Sequence, residues 1–184
     1  KLPVSVPPQQ TDHITGETQS DAPTVPIPRK TTRPRSTKPL QLVFTDVWGA
    51  NSVTSRSGFR YVVAFTDDYS RYTKVYFMKK KSEVVEKFKE FSAWSLAYRD
   101  SNSAVEYTFL KDKVQLQTDN DSVFTSKEFT ECCAKEKIVL RHSAPYLHEN
   151  NAIAERLWRT LLDRSTCFLM QADMPKDLWP LSWR

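Results

Sequence analysis

Three strand-like segments in a row constrain the fold of this chain more than any other feature of its sequence. They cover residues 40–45, 59–65 and 71–78 and are rich in β-branched and aromatic side chains, which suit a pleated surface. The links between them carry turn-forming residues, among them Gly58 and the run Asp-Asp-Tyr-Ser at 67–70. Consecutive strands joined in this way usually pair with each other, so the pattern predicts an antiparallel meander.

The rest of the chain alternates between helical and strand-like segments. A helix is predicted from a cap at Ser82 to about Tyr98. Its apolar residues Val84, Phe88 and Phe91 fall on one helical face. The order β-β-β-α-β-α-β-α predicts an α/β domain with a mixed five-stranded sheet and helices on both faces. The later elements are a fourth strand at 114–118, a helix from Ser126 to about 136, a fifth strand at 138–141 and a long helix at about 150–171.

Three carboxylates stand where these elements would bring them together. Asp46 ends the first strand, Asp119 ends the fourth, and Glu155 lies near the start of the last helix. A single Asp at a strand end is usually a turn or cap residue. Three acids at one end of a sheet, however, repel each other unless divalent cations lie between them, and such oxygen ligands select Mg²⁺ or Mn²⁺. Two ions about 3.5–4 Å apart stabilise both oxygens of a phosphoryl displacement, so the acids predict a two-metal site.

Other polar groups are interpreted as structural. The pair Asp67-Asp68 lies in a tight link, and Arg71 is its expected charge partner. The segment that begins at Asp119 is not an EF-hand loop, because Phe124 stands where that loop needs glycine. The three cysteines have no C-x-x-C spacing, which indicates a reducing compartment and no zinc site.

Residues 1–38 differ in composition from the rest of the chain. They hold most of the prolines and no aromatic residue, so little apolar surface is available to offset the entropy of ordering. We predict a disordered basic linker there and one domain over residues 39–184. The five cations of residues 29–38 suit phosphates or a nuclear address, and a solvated linker explains them at least as well.

The overall charge agrees with a polyanionic partner without identifying one. Lys and Arg exceed Asp and Glu by 27 to 22, a net charge of +5. No apolar run approaches the roughly 18 residues of a membrane span, so no membrane partner is expected. The chain lacks an initiator Met and stops inside an apolar segment. We therefore expect a piece of a longer polypeptide, with the domain truncated at its C-terminus.

Several segments together carry a family resemblance. They include T-D-V-W-G at 45–49, Y-V-V-A-F-T-D-D-Y-S-R-Y-T at 61–73, T-D-N at 118–120, A-P-Y at 144–146 and N-A-I-A-E-R at 151–156. On these motifs the chain resembles the catalytic core of copia-type retrotransposon integrases, within the retroviral integrase superfamily. The likeness covers roughly residues 40–182 and implies an RNase H-like fold. It implies that Asp46, Asp119 and Glu155 are the family's three metal-binding carboxylates.

The resemblance also implies a function. The expected reaction joins the 3′ ends of retroelement DNA to target DNA, with two Mg²⁺ or Mn²⁺ ions as cofactors. The expected partners are DNA and further copies of the chain. The expected location is the nucleus at the time of integration and a cytoplasmic particle before it. Candidates for contact with the DNA backbone, for which surface charge and loop packing are equally good explanations, are Tyr146, Asn151, Arg156 and Arg159.

The chain departs from the family pattern in the loop after Asp119. The family usually has Asn and two glycines there, whereas Asn120 is followed by Asp121 and Ser122, which reduces the freedom of the backbone. Two alternatives to an active integrase follow. One is a metal-dependent nuclease of the same fold, which would cut DNA without joining it. The other is a decayed or domesticated remnant that binds DNA without catalysis.

Overall fold

The computed structural model describes residues 34–101, 114–143 and 152–183. Within these ranges, five strands and three α-helices follow each other in the predicted order, and two 3₁₀ segments accompany them. The strands are β1 (Leu42–Trp48), β2 (Tyr61–Asp67), β3 (Thr73–Met78), β4 (Gln115–Thr118) and β5 (Val139–His142). The helices are α1 (Val84–Ser101), α2 (Lys127–Lys135) and α3 (Ala152–Gln171), with a 3₁₀ turn at Lys81–Glu83 and a C-terminal 3₁₀ helix at Lys176–Trp183.

All five strands form one mixed sheet in the order β3-β2-β1-β4-β5. The pairs β1–β2 and β2–β3 are antiparallel, which confirms the predicted meander. The pairs β1–β4 and β4–β5 are parallel. Helix α2 connects β4 to β5 and returns the chain to the same end of the sheet, and α1 precedes β4 after the meander. The predicted α/β class and mixed sheet are therefore confirmed.

One face of the sheet packs against α1 and α2. Alternate residues of the strands, such as Phe65 and Leu116, point to this face and are almost fully buried. The helices supply aromatic partners: the ring centroids of Phe88 and Phe65 are 6.1 Å apart, and those of Phe88 and Phe129 are 5.2 Å apart. We call this apolar cluster the first core. It fastens the two helices to the sheet through burial of large side chains.

The opposite face packs against α3 and the C-terminal 3₁₀ helix. Val62 and Ala64 of β2 are buried there. The centroids of Trp158 and Trp183 are 6.2 Å apart, and those of Trp48 and Trp183 are 5.4 Å apart. We call this apolar cluster the second core. Its main aromatic members are Trp48, Trp158, Trp179 and Trp183.

Several predicted element boundaries differ from the observed ones by a few residues, and for two of them a specific contact explains the difference. Strand β1 does not end at Asp46 but continues to Trp48, because the ladder with β2 extends to the pair Trp48–Val62. Ser82 is not a helix cap, because the first turn begins earlier as a 3₁₀ turn. The carboxylate of Glu83 reaches back and accepts a hydrogen bond from the Lys80 amide at 2.8 Å. Ser126, where the second helix was predicted to begin, is the cap of α2, and its side chain accepts a hydrogen bond from the amide of Phe129.

The predicted structural role of Asp67 and Asp68 is confirmed. Asp67 accepts hydrogen bonds from the amides of Leu40 and Ser70, at 2.7 and 2.9 Å. Asp68 lies 3.2 Å from a guanidinium nitrogen of Arg71, its predicted charge partner. These bonds close the link between β2 and β3 and also bind the segment that leads into β1.

The predicted linker lies mainly outside the described residues. The structure describes the last five residues of this segment, 34–38. Two of them bind Asp68: the Arg35 side chain donates to the Asp68 carbonyl at 3.0 Å, and the Ser36 amide donates to the Asp68 carboxylate at 2.7 Å. The boundary at residue 38 and the disorder before it stay predictions. Among the described helices, none has both the length and the apolar character that crossing a bilayer requires.

Candidate active site

Two of the three predicted acids lie on neighbouring parallel strands at the same level. The β1–β4 register pairs Phe44 with Gln117. Continuing that register by two residues sets Asp46 beside Asp119, which directly follows β4. Adjacent strands are about 4.8 Å apart, and residues at one level share a face. Both acids are half-buried. The sheet therefore brings these two carboxylates together although 72 residues separate them in the sequence (119 − 46 − 1 = 72).

The side chain of Asp46 points toward α3. One of its oxygens, Oδ1, accepts a hydrogen bond from the Val47 amide at 2.8 Å. The other, Oδ2, accepts from the indole Nε1 of Trp158 at 2.9 Å. Trp158 lies in α3 and is 93% buried, with 7% of its surface exposed. The contact therefore joins the helix that carries Glu155 to the strand that carries Asp46.

Glu155 lies in the first turn of α3, three residues before Trp158. Residues three apart in an α-helix share one side of it. The Glu155 side chain is exposed, and a carboxylate in a first turn is favoured by the helix dipole. The chain thus carries the third acid on the same side of α3 as the residue that contacts Asp46.

The loop after β4 is held by Asp121. Its amide donates to Asp119 Oδ1 at 3.1 Å, and its own carboxylate accepts from the Val123 amide at 3.2 Å and forms an ion pair with Lys81. Burial pushes the pKa of Asp121 upward, but the hydrogen bonds from Lys81 and Val123 outweigh it and hold the pKa below its ordinary value. The loop that follows Asp119 is therefore bonded at several points.

We expect Lys81→Met to lower stability in a pH-dependent way. The depressed pKa of Asp121 means that its ion pair contributes fully above the ordinary value of 3.8 and is lost as the pH falls below it. At neutral pH the free energy of unfolding should fall by up to about 1 kcal/mol. Urea unfolding from neutral to acidic pH measures this, with the exposed Lys80→Met as control. A difference that persisted well below pH 3.8 would contradict it.

The donor set fits a hard divalent cation. Asp46, Asp119 and Glu155 offer only carboxylate oxygens, the ligands that Mg²⁺ and Mn²⁺ prefer. Each carboxylate oxygen has two acceptor positions, so the bonds to Val47 and Trp158 leave Asp46 able to bind a cation. Within the three described ranges, no group of three or more His, Cys, Asp or Glu side chains is arranged to hold a metal ion.

The remaining predicted site residues divide into two groups. Arg156 and Arg159 lie in α3 with exposed side chains, three residues apart and hence on one side of the helix. Tyr146 and Asn151 lie outside the described residues. Sequence reasoning missed Trp158, Lys81 and Asp121. The signal for Trp158 was an aromatic ring one helical turn after Glu155. The same ring belongs to an apolar stripe with Ala154 and Leu162, which predicts a core position and not a role in the site.

Comparison with known proteins gives a consistent result. Residues 36–148 match the integrase core domain family. Over 150 residues the chain is 33% identical to the retrovirus-related Pol polyprotein from transposon TNT 1-94 of Nicotiana tabacum, with 82% of this chain and 10% of that protein covered. Over 148 residues it is 30% identical to the corresponding polyprotein from transposon RE1 of Arabidopsis thaliana, covering 80% and 9%. The chain thus spans about a tenth of these relatives' length.

The fold also matches a solved structure. In a cryo-EM structure of the simian T-cell lymphotropic virus intasome in complex with PP2A regulatory subunit B56 gamma, one chain aligns with a TM-score of 0.60 and 16% identity. The alignment covers 82% of this chain and 49% of that one. A mixed five-stranded sheet in this order, with helices on both faces, defines an RNase H-like fold. The chain belongs to the integrase core domain family. Its relatives are copia-type, retrovirus-related Pol polyproteins of plant transposons, which is consistent with a retrotransposon integrase core.

Proposed function

We propose that this domain joins the 3′ ends of retroelement DNA to target DNA. The observation that supports this most directly is the pair Asp46 and Asp119, level on adjacent parallel strands, with the Glu155 helix bonded to Asp46 through Trp158. Acids arranged in this way suit phosphoryl transfer. The proposal rests on this arrangement together with membership of the integrase core family.

Asp46, Asp119 and Glu155 hold two Mg²⁺ or Mn²⁺ ions in the proposed site. When bound, such ions stabilise charge on the attacking and leaving oxygens of an in-line displacement. The protein's own task is to hold the three carboxylates and the DNA in position. The 3′-hydroxyl of the element DNA attacks a target phosphodiester, and the 3′-oxygen of the target strand leaves. No covalent bond to the protein forms. With water as the nucleophile, the same site would trim DNA ends.

DNA is the proposed partner. Arg156 and Arg159 project from the helix that carries Glu155, so cations at these positions would reach phosphates near the reacting bond. Tyr146 and Asn151 remain candidates from the sequence for the same contacts. Joining two DNA ends in concert requires more than one copy of the domain, and we propose that it self-associates when active. Integration into chromosomal DNA would require the nucleus, reached from a cytoplasmic particle.

The test is metal-dependent joining of a labelled duplex end to a plasmid. With Mg²⁺ or Mn²⁺ the chain should give joined product, and Asp119→Asn should give none. Cut plasmid without joined product, lost in the same variant, would instead indicate the nuclease. If the chain gives neither product, binding of Mn²⁺ and DNA is measured next. DNA binding without metal binding would indicate the non-catalytic remnant and overturn the proposal.

A further inference from the structure

The contact between Trp158 and Asp46 has properties that set it apart from the other tryptophan contacts of the second core. Its donor is an indole N–H in a buried ring, and its acceptor is a carboxylate oxygen of a proposed metal ligand, 2.9 Å away. Hydrogen bonds to charged acceptors are stronger than those between neutral groups, and more so away from water. The bond therefore fixes the rotation of the Asp46 carboxylate.

The surroundings of Trp158 make the contact rigid. Its ring packs against Trp183, which in turn contacts Trp48 near the end of β1 and Phe77 of β3. A ring that is buried in such a cluster has little freedom to change rotamer. The indole N–H is thus kept at a fixed point beside β1, and the backbone of α3 is kept at a fixed distance from the strand.

We propose that Trp158 is a positioning residue of the active site, which orients Asp46 and sets the place of Glu155 by holding the first turn of α3 against β1. Trp158 does not touch the DNA or the metal in this proposal. Trp158 acts on Asp46 through the hydrogen bond, and on Glu155 through the helical backbone that separates the two residues by three positions. The inference rests on the proposed function, since it assigns to Trp158 the task of preparing two of the three carboxylates.

Trp183 offers a matched control for this role. It is 7% exposed, as is Trp158, and belongs to the same core. In the part of the chain that the structure describes, its Nε1 has no hydrogen-bond partner. Replacing either ring with Phe removes a similar amount of buried surface, but only Trp158→Phe removes a hydrogen bond. A larger loss of metal affinity in Trp158→Phe than in Trp183→Phe would therefore reflect the lost bond to Asp46, since both variants lose a similar ring volume.

The first measurement is the ¹⁵N–¹H spectrum of the indole groups, which requires neither DNA nor metal. The signals of Trp158 and Trp183 are assigned by their loss in the two Phe variants. We expect the Trp158 signal to lie downfield, as for a hydrogen-bonded N–H, and to move upfield in Asp46→Asn while the Trp183 signal stays in place. If the chemical shift of the Trp158 indole N–H were the same in Asp46→Asn as in the parent protein, the contact would not form, and the proposal would be overturned.

The second measurement separates positioning from stability. A titration with Mn²⁺, followed by the thermal unfolding temperature, gives the apparent metal affinity of each protein. Loss of a residue that orients a metal ligand usually weakens metal affinity or activity by about tenfold or more. We expect roughly this loss in both Mn²⁺ affinity and DNA joining for Trp158→Phe, and a clearly smaller loss for Trp183→Phe, which loosens the packing around Trp158 but leaves its hydrogen bond to Asp46 in place.

The outcomes keep this proposal apart from the proposed function. Equal losses in the two Phe variants, with a parent protein that binds Mn²⁺ and joins DNA, would overturn the positioning role and leave the function intact. A parent protein that showed neither Mn²⁺ binding nor joining would overturn the proposed function. In that case the indole spectrum would still establish the contact, and the contact would be a structural bond only.

Discussion

Glu155→Gln is expected to abolish metal-dependent joining of DNA while leaving the fold unchanged. The substitution replaces a charged oxygen ligand by a neutral amide of the same shape, and Mg²⁺ and Mn²⁺ bind neutral amides poorly in place of carboxylates. Stabilisation of the transition state by bound metal amounts to several kcal/mol, so the rate should fall by about a thousandfold or more. The measurement is the initial rate of strand joining across a range of Mn²⁺ concentrations.

The same change from a carboxylate to an amide, made elsewhere on α3, provides the control. Asp163 is also exposed on this helix, two turns further along, and Asp163→Asn removes the same charge. Because the Glu155 side chain is exposed, the unfolding free energy of Glu155→Gln without metal should stay within about 0.5 kcal/mol of the parent value. Joining at a rate similar to that of Asp163→Asn would remove Glu155 from the site.

The sequence predicted the elements of the fold well because their periods are clear. Alternating β-branched and aromatic residues marked the three strands of the meander, and a stripe from Val84 to Phe91 marked α1. Where a boundary was wrong, a contact distant in sequence had changed it. Strand β1 runs on past Asp46 because β2 supplies the partner for two further pairs. Local pattern cannot show how far a ladder extends.

The candidate site could be predicted only in part. The acids stand out in the sequence because they lie at predicted strand ends and near a predicted helix start, and the sheet register sets Asp46 beside Asp119. The sequence places Trp158 on an apolar stripe with Ala154 and Leu162, which predicts a core position, and the ring is indeed buried. Its N–H bond to Asp46 crosses 112 residues of sequence. A pattern of side-chain types predicts which face of a helix is buried, but it does not predict which donor and acceptor atoms form a hydrogen bond there.

The loop after Asp119 shows a second kind of information that the sequence left hidden. The family's two glycines are replaced by Asp121 and Ser122, and this suggested only a loss of backbone freedom. In the structure, Asp121 bonds the amide of Val123, pairs with Lys81 and donates its own amide to Asp119. Where the family has glycines, which leave the backbone free to adopt many conformations, this chain has a loop that is held by hydrogen bonds and an ion pair of Asp121. This arrangement depends on Lys81, 40 residues away in the sequence.

Asp68→Ala is expected to lower the unfolding free energy by about 2–3 kcal/mol. The Asp68 side chain is fully buried, its carboxylate accepts from the Ser36 amide at 2.7 Å, and Arg71 lies 3.2 Å away. Hydrogen bonds to a charged group contribute about 1.5–3 kcal/mol each, and removal of the acceptor leaves the donors without it. For a domain of this size the melting temperature should fall by roughly 5–10 °C. Thermal unfolding by circular dichroism measures it.

An ion pair on the surface supplies the comparison. Asp177 lies 3.2 Å from Arg56, the same separation as Asp68 from Arg71. The side chains of this pair are partly exposed, 34% for Asp177 and 64% for Arg56. Solvent screening should limit the cost of Asp177→Ala to below about 1 kcal/mol. Since Asp68 also binds Ser36, its loss should speed tryptic cleavage after Arg35, which Asp177→Ala should leave unchanged. Equal destabilisation by the two variants would mean that burial of Asp68 adds nothing to the strength of its bonds.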